Sequence, residues 1–97
     1  MISTHILDTA LGEPAAGVKV ALYRGKELIS LQETNDDGRI PELAEGELEP
    51  GVYRLVFYVD TGFFEHVELA IAIPDPSVHY HVPLLVSPYS CVTYRGS

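Results

Sequence analysis

The feature that most constrains the fold is a series of short apolar runs that alternate with period two, cut by turn clusters roughly every 8 to 14 residues. The clusters are "LGEPAAG" (11–17), "RGKE" (24–27), "TNDDGR" (34–39), "LEPG" (48–51), "DTG" (60–62) and "PDPS" (74–77). Between them, Val18, Val20 and Leu22 alternate with Lys19 and Ala21. In "VYRLVFYV", Tyr53, Leu55, Phe57 and Val59 share one face, while Arg54, Val56 and Tyr58 share the other. In "HVELAIAI", Val67, Leu69, Ile71 and Ile73 fall on one side. Side chains two apart on a strand point the same way, so each run presents one apolar face, as antiparallel strands over a core do. Helical periodicity is scarce: "PELAEGELE" (41–49) is short, interrupted by Gly46, and reads as an acidic loop with at most one turn. The expectation is an all-β sandwich of two packed sheets with seven or eight strands.

With 97 residues, 46% of them hydrophobic, the chain is expected to form a single domain (1–97) around one modest core. The net charge of −8 argues against nucleic acid and anionic membrane surfaces as partners. Half of the 14 acidic residues lie between Glu33 and Glu49. The single cysteine, Cys91, cannot form an internal disulfide. The opening "MISTHILDTALGEP" has no basic and apolar leader pattern, and runs such as "LAIAI" are too short to span a bilayer. The expected location is cytoplasmic, with no membrane association.

The stretch "HYHVPLLV" (79–86) departs from simple inside-outside patterning. Parity sends Tyr80, Val82, Leu84 and Val86 into the core and turns His79, His81, Pro83 and Leu85 outward. Two imidazoles beside Pro and Leu do not make a plainly solvated face; they suggest a surface covered by a ligand or another subunit. Three readings of the pair stand at this level. Same-face histidines can chelate a metal, although no Cys/His cluster accompanies them. They can be surface residues with structural hydrogen bonds. Or they can move protons near neutral pH, the usual work of histidine in catalysis.

Other candidates are single residues. His5 lies in "STHILD" and Arg39 ends "TNDDGR"; without more information, each reads as an edge histidine and a turn arginine. His66 adjoins Glu65 at the start of a strand and reads as surface. Cys91 has no CxxC motif or clear base partner and reads as an ordinary thiol. The chain contains no G-x-S-x-G elbow, phosphate loop or dinucleotide fingerprint.

Taken together, "YRGS" (94–97), "HYHVPLLVSPYS" (79–90), "STHILDTALGEPAAGVKVALYR" (3–24), "TNDDGR" and "PGVYRLVF" resemble the transthyretin-related 5-hydroxyisourate hydrolases of the transthyretin family, which end in that tetrapeptide. The resemblance covers nearly the whole chain. It implies a transthyretin-like two-sheet antiparallel β-sandwich that hydrolyses 5-hydroxyisourate to 2-oxo-4-hydroxy-4-carboxy-5-ureidoimidazoline, in urate degradation, with neither metal nor organic cofactor. It also implies a homotetramer, a dimer of dimers with sites in a channel between dimers. The implied catalytic set is His5, Arg39, His81 and Ser97, with His79, Tyr94 and Arg95 binding substrate. In these roles His5 and His81 would position and deprotonate water, Arg39 would stabilise the developing oxyanion, and Tyr94, Arg95 and Ser97 would wall the pocket. Family members carry a short helix after the strand that matches "VFYV". Here "DTG" runs almost directly into "FFEHV", so that helix is expected to be missing. Two readings of other classes are a non-catalytic carrier of small molecules in the same channel, and a metal-binding β-domain using His79 and His81.

Overall fold

In the computed structural model, which describes residues 1–44 and 46–97, the alternating runs become strands of two packed sheets. The strands are β1 (Ile2–Asp8), β2 (Glu13–Pro14), β3 (Lys19–Arg24), β4 (Glu27–Glu33), β5 (Arg39–Ile40), β6 (Gly51–Phe57), β7 (Val67–Ile73), β8 (Tyr80–Ser87) and β9 (Ser90–Thr93). Seven are four residues or longer, while β2 and β5 are two-residue additions to the edge of β1. One sheet runs β2-β1-β8-β9 with β5 also on β1; the other runs β4-β3-β6-β7. No helix occurs among the described residues, and β6 passes to β7 through the nine residues 58–66.

Parity sorts the strands as the alternation requires. Val20 and Leu22, Tyr53, Leu55 and Phe57, and Tyr80, Val82, Leu84 and Val86 are buried, with Ile2 and Ile6 of β1 facing them. His81 and Leu85 remain partly exposed on the outer face of β8. Two features depart from the sequence reading. First, the sandwich is not wholly antiparallel: β1 and β8 run parallel, in register from Ile2↔Tyr80 to Asp8↔Val86. A parallel pair requires a long crossover, and here most of the chain, including the whole second sheet, intervenes. Second, the segment read as an acidic loop contributes Leu43 and Ala44 to the core. The Leu43 N–H donates to the Ile2 carbonyl at 2.8 Å, and the Glu42 carboxylate accepts the N–H groups of Ile2 and Ala44 at 2.9 and 3.2 Å. Two apolar residues in an acidic stretch have no period to betray them. Glu45 of the same stretch lies outside the described residues.

The turn before β5 carries Arg39 to the edge of β1. Asn35 closes it: its Oδ1 accepts the N–H groups of Asp37 and Arg39 at 2.9 and 3.0 Å. Gly38 then takes φ +74° and its carbonyl accepts the Ile6 N–H at 2.8 Å. A Cβ there would stand 2.6 Å from the Ile6 carbonyl oxygen, so both conformation and space demand glycine. Gly38→Ala is expected to lower stability by about 2 kcal/mol or more, read as a reduced urea midpoint at unchanged slope.

Candidate active site

Register sets the candidate residues out in rows across the outer face of the first sheet. Arg39, His5 and Pro83 form one row, since His5 pairs with Arg39 on one side and with Pro83 on the other. Ser3, His81 and Gly96 form the next, through Ser3↔His81 and the isolated bridge His81↔Gly96. Leu7, Leu85 and Val92 form an apolar row beyond. Neighbouring strands lie about 4.8 Å apart, so residues distant in sequence become adjacent side chains.

Pro83 shapes the end of this surface. The β8–β9 ladder runs from Ser87↔Ser90 to Leu84↔Thr93, and continued it would set Tyr94 opposite Pro83. Proline has no N–H to give there. The ladder lapses, the Thr93 hydroxyl takes over the Pro83 carbonyl at 2.9 Å, and the chain rejoins β8 where the Gly96 N–H donates to the His81 carbonyl at 2.8 Å. Gly96 then lies flat on the histidine: a Cβ would come within 2.7 Å of His81 Cδ2 and 3.1 Å of Pro83 Cγ. This detour brings Tyr94 and Ser97 to the histidines. His5, His81, Tyr94 and Ser97, with Leu7, Pro83 and Leu85, line a groove of about 370 Å³.

Ser3 organises the histidine row. Its hydroxyl lies 2.7 Å from His79 Nε2 and 2.7 Å from His81 Nδ1. The sequence reading passed over Ser3, although parity with His5 in "STH" already put it on the outward face. With His81 Nδ1 turned to Ser3, Nε2 is the nitrogen left for chemistry. Burial holds the His81 pKa below the ordinary histidine value, and the positive charge of Arg39, then His79 and His5, push the same way. The ring is therefore neutral near neutral pH, which leaves it a lone pair.

The remaining candidates fall elsewhere. Arg95 turns away from the histidines: its guanidinium stacks 4.8 Å over the Tyr80 ring and lines a larger groove of about 690 Å³, with Leu69, Ile71 and Val82. That groove, between β7, the start of β8 and the terminal segment, has no histidine in its lining, so size does not mark the chemistry. Strand alternation accounts for this placement: Tyr94 and Gly96 share the face of His81, and Arg95 between them points to the other side. Arg39 is exposed on the row of His5 but outside the lining of the smaller groove. His79 is exposed and hydrogen-bonds to the site through Ser3. His66 stays near Glu65 and Glu68, at 3.6 and 3.9 Å, ahead of β7. Cys91 is half-buried against the core, and burial raises its pKa, so it stays a thiol. Among the described residues, no three His, Cys, Asp or Glu side chains are grouped to hold a metal ion, and no helix is long and apolar enough to cross a membrane.

A model of the HIUase/Transthyretin family matches residues 2–96. The chain belongs to this family. It is 44% identical to 5-hydroxyisourate hydrolase 2 of Rhizobium meliloti over 114 aligned positions, covering 99% of this chain and 95% of that protein. The alignment is longer than this chain, so the relative carries a segment missing here. Among solved structures, the 5-hydroxyisourate hydrolase of Klebsiella pneumoniae superimposes with a TM-score of 0.89 at 36% identity, covering 99% of this chain and 98% of that one. Sea bream transthyretin in complex with thyroxine superimposes with a TM-score of 0.86 at 27% identity, covering 98% and 93%. The family's sandwich is thus retained with a plain loop between β6 and β7.

The electrostatics of the groove give a direct test. His81 is expected to titrate below the ordinary histidine value of about 6.5 in an NMR pH titration. Arg39→Ala removes a repelling cation and is expected to move that midpoint upward.

Proposed function

We propose that this protein hydrolyses 5-hydroxyisourate to 2-oxo-4-hydroxy-4-carboxy-5-ureidoimidazoline, a step of urate degradation. The observation that carries this reading is near full-length similarity to proteins named for that reaction, on a chain whose His5, His81 and Ser97 converge on one groove. Opening a cyclic amide with water requires a base for the water proton, a donor for the oxygen that gains charge, and a proton for the departing ring nitrogen. In the reading we favour, His81 Nε2 takes the water proton, because that ring is held neutral and its other nitrogen is engaged. The hydroxide adds to the carbonyl carbon, and the electron pair moves to the carbonyl oxygen. Arg39 supplies its fork of N–H donors to that oxygen. As the tetrahedral centre collapses, the C–N bond breaks and the ring nitrogen recovers a proton from His81. His5, between Arg39 and Pro83 in the sheet, orients the water or the substrate edge. Ser97 and Tyr94 close the end of the groove. His79 contributes through Ser3, and Arg95 by anchoring the terminal segment on Tyr80.

The working unit in this proposal is a homotetramer, a dimer of dimers, in the cytoplasm. Support comes from the groove face: Val92 and Tyr94 are 50% and 55% exposed beside Leu7 and Leu85, an apolar surface that a second copy would cover. One cysteine, without a disulfide, suits a reducing compartment. Size-exclusion chromatography with light scattering should give four times the chain mass; a monomer would exclude a channel built between subunits.

Freshly generated 5-hydroxyisourate is expected to decay faster when the protein is added. His81→Ala and Arg39→Ala are each expected to slow the catalysed decay by about 10²-fold or more. A spontaneous rate unchanged by wild-type protein would sink the assignment, and binding without turnover would favour the carrier reading instead.

A further inference from the structure

Ser3 stands between two histidines with a single proton to give. Its side chain is buried, and Oγ makes two contacts of 2.7 Å, to His79 Nε2 and His81 Nδ1, its only side-chain hydrogen bonds among the described residues. A hydroxyl donates once and accepts twice. If Ser3 donates to His79, then His81 must hold its proton on Nδ1 and donate it to Oγ. His81 Nε2 is then a bare lone pair lining the groove. If His79 Nε2 carries the proton, Ser3 donates to His81 Nδ1 instead, and a neutral His81 must hold its own proton on Nε2. The two arrangements have opposite chemistry at the groove: the first offers a base, the second an acid.

We propose that Ser3 is a positioning residue that selects the tautomer of His81 and couples it to the protonation of His79, forming a relay from the groove to solvent. This deepens the hydrolase reading and rests on it for its kinetic consequences, while the coupling itself is a property of the three side chains. In the relay, His81 Nε2 accepts a proton from water as its Nδ1 proton passes to Ser3 Oγ. The Ser3 hydroxyl proton passes in the same movement to His79 Nε2. The balance closes: water has become hydroxide, Ser3 and His81 remain neutral, and His79 has become an imidazolium with a proton on each nitrogen. The reverse movement returns a proton through His81 Nε2 to the leaving ring nitrogen.

The surroundings favour this displacement of charge. The groups facing His81 are Ser3 and His5 on β1, Arg39 on β5, His79 in the preceding turn, and Tyr94 and Ser97 of the terminal segment. Among the described residues, no carboxylate side chain joins them, and burial and Arg39 both disfavour an imidazolium at His81. His79 is exposed, and its ring lies 6.4 Å from that of His81, so a proton held there is hydrated and farther from the groove. The Tyr80 side chain between them in sequence enters the core and takes no part. Outer hydrogen bonds of this kind commonly decide which histidine nitrogen is available for chemistry.

The test has a spectroscopic arm and a kinetic arm. Two-bond ¹H–¹⁵N correlation spectra of the labelled protein report the tautomer of each histidine across a pH titration. Wild-type His81 is expected to hold its proton on Nδ1 at high pH and to switch to Nε2 as His79 becomes protonated. Ser3→Ala should uncouple the two rings, and Ser3→Thr, which keeps the hydroxyl, should preserve the coupling. A His81 tautomer indifferent to His79 in the wild type, or unchanged coupling in Ser3→Ala, overturns the proposal whether or not the protein hydrolyses 5-hydroxyisourate. In the kinetic arm, Ser3→Ala is expected to lower kcat by about 10- to 100-fold with little change in KM, part of the 10²–10⁴ available to proton transfer. Ser3→Thr should restore most of it. His79→Gln should move the acid limb of kcat to lower pH, because the wild-type limb includes the switch. Charge repulsion alone predicts the opposite, since removing a repelling neighbour raises the His81 pKa. Equal losses in the Ala and Thr variants, or an upward move of the limb, would count against the relay. Wild-type protein without turnover would count against the hydrolase assignment alone, leaving the spectra to decide the role of Ser3.

Discussion

The site depends first on the parallel pairing of β1 with β8. These strands come from opposite ends of the chain, and their register places Ser3 beside His81 and His5 beside Pro83. Parallel hydrogen bonds form only after the long crossover has been closed, so this ladder is supported by the core it covers. Ile2, Ile6, Val82 and Leu84 are that support: each is buried, and each alternates with a residue of the outer face. A shift of one residue in β1 would bury His5 and expose Ile2 and Ile6, and one in β8 would bury His81 and expose Val82 and Leu84, so hydrophobic burial enforces the register of the candidate site.

Two glycines and a proline then bring the remaining groups to the β1–β8 seam. Gly38 lets the turn after Asn35 fold tightly enough for its carbonyl to meet the Ile6 N–H, which sets Arg39 opposite His5. Pro83 removes one N–H from the β8–β9 ladder and so allows the terminal segment to leave the sheet and return. Gly96 provides the close approach that lets this segment lie against His81. None of these three residues carries chemistry. Each permits a backbone path that an ordinary residue would block or would never leave.

Much of the fold was legible because period two is a local property. Alternation alone sorted Tyr53, Leu55 and Phe57 from Arg54 and Tyr58, and Tyr80, Val82 and Leu84 from His81 and Leu85. It missed Leu43 and Ala44, which join the core from outside any strand and carry no periodic signal of their own. It also missed the parallel sense of β1 and β8, because strand direction is settled by the path of the intervening chain. The site was legible mainly as a resemblance of motifs. Spacing alone left the histidine pair open to metal, structural or acid-base readings. The contacts of Ser3 with both rings changed that pair into a connected unit. Alternation continues through "YRGS": Tyr94 borders both grooves, while Arg95 faces only the larger one and stacks on Tyr80.

What the amino-acid sequence determined by itself was the class of the fold and the facing of most strand residues, since both follow from side-chain alternation and from where glycine and proline interrupt it. It also carried the family motifs that named the candidate residues. What only the tertiary structure decided was which of those residues meet, and through what. Ser3 and His81 are 78 positions apart, and a hydrogen bond between them depends on strand direction, register and the exclusion of water around a buried hydroxyl. Those are properties of packed layers, and no local pattern of residues contains them.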